Sequence, residues 1–211
     1  EYFKPHERLA LEKELEEYIA AMTASLDFAS SGANLGNLFS AQGNVEEAEH
    51  YYREAIDVDS LFIPAKMNLA MLLSEQGRND ETEQLLREVL DAYPDQHDAS
   101  YSLALLLVGL GRSDEALPYL GQASAGMPQH SRVHYNYGLL LAQVGRDAEA
   151  EIALRKALSI DTESIDYMYA LIDFYYKRAR PIEALELAEQ LIAVYPENRL
   201  GHDLKAVIQG Q

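Results

Sequence analysis

GANLGNLFSAQGNVEEAEHYYREAIDVDSLF, residues 32–62, holds two runs of helical spacing around a break at Gln42-Gly43-Asn44. In the first run Leu35, Leu38 and Phe39 recur at i, i+3, i+4; in the second, Ala48, Tyr51, Tyr52 and Ala55 do the same. Each run therefore carries one apolar stripe. A break this short forces the two helices antiparallel, stripe against stripe.

The same pattern returns every 34 residues. The glycine of the break recurs as Gly43, Gly77, Gly111 and Gly145, and a fifth copy has Ala179 in its place. Leu35, Leu69, Leu103, Tyr137 and Leu171 form one column. Gly36, Ala70, Ala104 and Gly138 form the next, small where two helices must touch, until Ile172 breaks it. Ala48, Thr82, Ala116, Ala150 and Ala184 form a third, and Pro94, Pro128 and Pro196 mark boundaries. With this period and these columns, the chain resembles the tetratricopeptide repeat family over about residues 29–198. The resemblance implies five repeats, at 29–62, 63–96, 97–130, 131–164 and 165–198. The family's large aromatic early in the first helix is missing, because Gly32, Lys66, Ser100, His134 and Met168 stand there.

The expected fold is an all-α, right-handed solenoid of helical hairpins with a capping helix at each end. Hairpins of this kind bury their faces against their neighbours, so the core is continuous but thin. Residues 6–25 read as the N-terminal helix, with Leu11, Leu15, Tyr18, Ile19 and Met22 on one face and Pro5 suited to its first turn. Residues 199–211 read as the C-terminal cap, with a stripe of Leu200, Leu204 and Ile208. Asn44 and Glu47 have the spacing of a capping box, and Ser113 and Asp147 are of N-cap type. Pro118, Gly121 and Gly126 predict a kink or a softened helix over 113–126.

A net charge of −18 opposes nucleic acid or an anionic membrane as partner, since phosphates are repelled. The absence of cysteine excludes disulfides and thiolate metal sites. No apolar run approaches the roughly 20 residues of a membrane helix. The chain starts at Glu1 without a signal pattern, which reads as a processed form or a piece of a longer protein. The compartment, periplasmic or cytoplasmic, is not encoded in these features.

Reactive constellations are missing from the sequence. His130 and His134 are spaced i, i+4, but His130 falls at a repeat boundary and no further ligands accompany the pair. Neither a phosphate loop nor a nucleophile elbow is found. The reading is therefore a non-catalytic protein with no cofactor and no metal.

The resemblance to tetratricopeptide repeats implies that the first helices line a concave groove that binds peptides. Carried over by position, the groove holds the column Asn34, Asn68, Asn136 and, beside it, Met67, Tyr101, Tyr135 and Tyr169. Four residues after the second column come Asn37, Met71, Leu105 and Leu139. Asn side chains can hold a peptide backbone amide. Family members that grip the acidic C-terminus of chaperones use two Asn and three basic residues. Asn37 and Asn68 match the Asn, but Ala33, Asp98 and Ser102 occupy the basic places, so that clamp is absent. The competing reading of the strip is plain core, or a groove filled by the N-terminal helix.

The implied function is a scaffold whose groove takes a protein or peptide that is partly apolar and neutral to basic. The alternatives are self-association and docking within a larger redox protein. The last rests on residues 7–22, 34–56 and 64–78, which look like the C-terminal repeat region of bacterial multihaem c-type cytochromes and would imply a periplasmic setting. No CxxCH motif is present, so this chain would bind no haem itself.

Overall fold

The structure, a computed structural model, describes residues 5–210. Its helices are α1 (Pro5–Thr23), α2 (Ala29–Ala41), α3 (Val45–Val58), α4 (Ile63–Glu75), α5 (Asn79–Ala92), α6 (His97–Gly109), α7 (Ser113–Gly126), α8 (Ser131–Gln143), α9 (Asp147–Ile160), α10 (Ile165–Lys177), α11 (Pro181–Val194) and α12 (Arg199–Gln209). No strand occurs among the described residues. The chain forms two compact units, one ending at Ala99 and one beginning at Ser100, so the division falls in the first turn of α6.

The break between paired helices is a Schellman motif. Gly43 has φ of 76°; its N–H donates to the Ser40 carbonyl at 3.0 Å, and the Asn44 N–H donates to the Phe39 carbonyl at 2.9 Å. Gly77, Gly111 and Gly145 repeat this with φ between 72° and 78°. Glycine is needed there because an L side chain is strained in the left-handed region.

This geometry corrects the expected N-caps. Asn44 is the N-cap of α3 but its side chain makes no cap bond, and because its own N–H already closes the preceding helix, Glu47 has no free N–H to reach. Likewise Arg112 and Arg146 are the N-caps of α7 and α9. Ser113 and Asp147 sit one residue inside, and Ser113 Oγ instead accepts from Gln143 Nε2 at 3.2 Å. Ser164 and Asn198 do cap with their side chains: Ser164 accepts from the Tyr167 N–H and Asn198 from the Leu200 N–H.

In the first unit, α2 packs on α3, α3 on α4 and α4 on α5. The core is small-residue dense at Ala29, Ala33, Ala55 and Ala65, then larger at Tyr52, Leu69, Leu72 and Leu73. Gly36 is required, since a Cβ there would lie 2.4 Å from the Tyr52 ring. Helix α1 packs on α2. Of its apolar face, Leu15, Ile19 and Met22 are half-buried while Leu11 and Tyr18 stay exposed.

In the second unit, α7 through α12 pack in sequence around one core that includes Leu141, Leu154, Met168, Leu171, Tyr175 and Leu191. Gly138 repeats the Gly36 role, with Leu154 Cγ 2.7 Å from a Cβ placed there. Leu200, Leu204 and Ile208 of α12 lie on that core. Helix α7 runs unbroken from Ser113 to Gly126 with Pro118 inside it. Gly121 there faces the Tyr137 hydroxyl, 3.3 Å from where a Cβ would sit.

Candidate functional site

The surface of interest in the second unit is built from α6, α8 and α10. Each presents residues at the same repeat phase: Tyr101 and Leu105, Tyr135 and Leu139, and Tyr169. Leu105, Leu139 and Tyr169 are 41%, 40% and 43% exposed, and Tyr101 and Tyr135 are half-buried. Helical spacing places residues four apart on one face, so α6 and α8 each contribute a short apolar stripe, while on α10 Tyr169 is followed four residues on by Asp173.

Polar contacts hold these rings. Asn136 Nδ2 donates to the Tyr101 hydroxyl at 2.7 Å, joining α8 to α6. The Tyr135 ring stacks at a tilt on Tyr167 of α10, centroids 5.0 Å apart, and the Tyr167 hydroxyl lies 3.2 Å from Ser131 Oγ. Burial pushes the Tyr101 phenol up, with the Asn136 amide and the Arg132 charge pulling the other way. Burial and then Asp166 raise the Tyr135 phenol, while Arg132 lowers it. Arg132 and Asp166 themselves are exposed.

In the first unit, Met71 is 57% exposed and Met67 half-buried on α4. Asn34 and Asn37 are exposed on α2. Asn37 Oδ1 accepts from both the Tyr52 hydroxyl at 2.8 Å and Asn68 Nδ2 at 2.7 Å. Asn68 and Asn136 thus bind neighbouring helices as well as facing outward, so part of the polar capacity read as ligand-holding is spent on packing. Helix α1 packs on α2 and leaves Met71 exposed.

His134 is structural in its bonding. Its Nε2 faces the Pro128 carbonyl at 3.2 Å and therefore carries the proton, leaving Nδ1 to accept from the Ser124 hydroxyl at 2.9 Å. Burial holds its pKa below the ordinary value. No cluster of metal-ligating side chains occurs among the described residues.

Two periodic features escaped the sequence reading. In three repeats the place of the family aromatic is polar and partnered on a facing helix, while Gly32 and Met168 hold it in the other two. Lys66 Nζ donates to Glu88 at 2.7 Å, Ser100 Oγ to Gln122 at 3.1 Å, and His134 meets Ser124. The second is an arginine at the helix start with a glutamate three residues on: Arg78–Glu81, Arg112–Glu115, Arg146–Glu149 and Arg180–Glu183, each within 2.6–2.7 Å. Arg78 also reaches back to Glu49 at 2.6 Å and Arg180 to Glu151 at 2.5 Å. The Arg180 bond is the largest influence holding the Glu151 carboxyl at about 2. The signal was an Arg-x-x-Glu column at the same 34-residue period.

Two tetratricopeptide repeat family models match the chain, at residues 39–107 and 101–165, together more than half of it. The chain belongs to the tetratricopeptide repeat family. It is accordingly an all-α protein of the helical-solenoid class and a protein–protein interaction scaffold, in a family that is generally non-catalytic. Among solved structures it is similar to YrrB, described as a TPR protein with an unusual peptide-binding site. That likeness has 24% identity and a TM-score of 0.75, over 89% of this chain and 97% of that one. It is similar also to MamA of Desulfovibrio magneticus RS-1, at 22% identity and TM-score 0.72, over 81% and 96% of the two chains. A third likeness is to pilF of Pseudomonas aeruginosa, at 21% identity and TM-score 0.69, over 86% and 83%. At these identities the neighbours establish the fold. No curated protein matches the chain. Nothing in these likenesses supports the narrower resemblance to multihaem cytochromes. Among the described residues, no tetratricopeptide helix is long and apolar enough to cross a membrane.

Proposed function

We propose that this scaffold docks a partly apolar segment of a partner protein, neutral to basic overall, on the α6–α8–α10 surface of the second unit. The observation that carries the reading is the exposed leucine at one repeat phase on α6 and α8, Leu105 and Leu139, beside a tyrosine at a second phase on α6, α8 and α10, of which Tyr169 is exposed and Tyr101 and Tyr135 are half-buried. Large apolar side chains left at the surface in register, with the core supplied by other columns, favour an interaction face over an incidental exposure. Tyrosine adds rigid area with a polar tip, suited to a contact that must also stay soluble. The charge of −18 disfavours an acidic ligand. Similarity to a TPR protein described as having a peptide-binding site supports a peptide as the bound element. Met67 and Met71, with Asn34, Asn37 and Asn68, give the first unit a second, smaller surface of adaptable apolar contact.

The test is a peptide-display selection on the full chain, followed by Leu139→Ala and Tyr169→Ala. Each substitution is expected to weaken the selected peptides by about 1 kcal/mol or more while the melting temperature holds. Apolar contact also predicts little change with moderate salt. Unfolding by both substitutions would make the strip core and sink the reading. A concentration-dependent dimer abolished by the same changes would replace the partner with a second copy.

A further inference from the structure

We infer that the second unit bends at an internal joint, with α6 and α7 on one side and α8 to α12 on the other, and that the bend sets how far the apolar stripe of α6 stands from that of α8. The inference concerns the fold itself and does not depend on what docks at those stripes. Three observations carry it: an ion pair missing from the joint, a core column that loosens there, and a weakened helix beside it.

At other joints of the chain, arginine ties one helix pair to the pair before it. Arg78, the N-cap of α5, reaches back to Glu49 of α3, and Arg180, the N-cap of α11, reaches back to Glu151 of α9. Around Arg180 the tie is reinforced. Arg178 donates to Asp147 at 2.7 Å and to the Ala142 carbonyl at 2.9 Å, and the Tyr175 hydroxyl donates to Glu151 at 2.8 Å. Arg146, the N-cap of α9, stands at the same repeat phase, but Leu117 holds the place of Glu49 and Glu151. The Arg146 guanidinium therefore bonds only Glu149, on the helix it caps, among the described residues. Leu117 is half-buried against the core of the unit. A forked arginine–carboxylate pair fixes an angle, whereas an apolar contact has no preferred direction and lets packed helices slide. Asn136 to Tyr101 and Gln143 to Ser113 do cross the joint, and both bonds are between neutral groups.

The core column loosens at the same place. Leu35, Leu69, Leu103 and Leu171 are 0–1% exposed, but Tyr137, their counterpart on α8, is half-buried. Its hydroxyl faces Gly121 of α7, so the contact between α7 and α8 here is a ring tip against a glycine. Next to Leu117, Pro118 brings no N–H to the Asp114 carbonyl, which removes one bond from α7. Leu105 and Leu139 stand on opposite sides of this joint, while Leu139 and Tyr169 stand on the same side. Bending therefore changes the first separation and preserves the second.

Asp114, Ala148 and Ile182 share one repeat phase at the starts of α7, α9 and α11, and all three are exposed. The chain has no cysteine, so nitroxide labels on introduced cysteine pairs are read without background. By double electron–electron resonance on the full chain, the pair Asp114→Cys and Ala148→Cys is expected to give a distance distribution about twice as wide as the pair Ala148→Cys and Ile182→Cys, because movement of one body against another adds to the spread of the labels. Leu117→Glu offers Arg146 the missing carboxylate, and Pro118→Ala restores the backbone donor. Each is expected to narrow the first distribution and leave the second unchanged. If Leu117→Glu does not fold, Pro118→Ala still decides the matter. Equal widths for the two pairs in the parent overturn the inference. So does a wide first distribution that no folded variant narrows, because its spread then does not arise at Leu117 and Pro118.

Discussion

Ala179 holds φ of 54°, the left-handed conformation that Gly43, Gly77, Gly111 and Gly145 adopt at the same point of the other repeats. The Ala179 N–H still donates to the Tyr176 carbonyl at 3.1 Å, and the Arg180 N–H to the Tyr175 carbonyl at 2.9 Å, so the motif forms despite its alanine. A Cβ there costs about 1 kcal/mol, and Ala179→Gly should raise unfolding free energy by about that much. Denaturant titration checks it; a variant no more stable than the parent would mean that Ala179 pays no strain. Gly138 makes the opposite case. Leu154 stands 2.7 Å from a Cβ placed there, so Gly138→Leu should overpack the α8–α9 contact and cost about 1–3 kcal/mol or more, read as a lowered melting temperature. Both sites were legible in the sequence as members of fixed columns. The geometry of Ala179 was not, because a single missing glycine reads equally as a lost turn or a strained one.

At the scale of the element, the helices themselves were legible and their ends were not. Apolar periodicity marked the helices, yet the N-caps of α7 and α9 are Arg112 and Arg146, one residue before the Ser113 and Asp147 expected, and it is the N–H of each arginine that closes the preceding Schellman motif. Polar pairs such as Lys66–Glu88 and Ser100–Gln122 lie 22 residues apart and change identity together, so a column of single residues hides them. The strip shows the same limit: its members could be named by phase, but Asn37 and Asn68 bonding to each other could not. Helix α7 remains the element to probe. Its Pro118 withholds one backbone hydrogen bond while the helix continues on both sides. Gly121 adds conformational freedom, with the Tyr137 hydroxyl 3.3 Å from where a Cβ would sit. Amide exchange over 113–126 should therefore run faster than over 147–159. Equal protection in the two segments would show that tertiary packing outweighs both residues.

Across the whole molecule, carboxylates held by arginine and lysine set the response to acid. Glu81, Glu88, Asp147 and Glu183 are lowered chiefly by such bonds, and at Glu49 burial is the largest single influence and works upward, but the Arg78 and Arg53 bonds and charges together outweigh it. Glu151 shows the effect most strongly: Arg180 first, against burial and helped by Tyr175 and Arg155, holds it at about 2 from an ordinary 4.5. A depressed folded value means that the unfolded chain takes up protons first as pH falls. The stability these groups contribute is thus fully present above about 4.5 and is lost progressively toward pH 2. His134 acts in the same direction at higher pH, since burial lowers its pKa and the unfolded chain protonates first below about 6.5. Relief of self-repulsion runs against both, because a chain of −18 becomes less charged on acidification. A variant separates the specific contribution from that general one. Glu151→Gln should melt below the parent at pH 7 and approach it as pH falls to 2, because the unfolded parent is by then protonated at this residue and the folded one about half so, which leaves little of the ion pair's contribution. A deficit equal at pH 7 and pH 2 would assign the role of Glu151 to shape and hydrogen bonding rather than to charge.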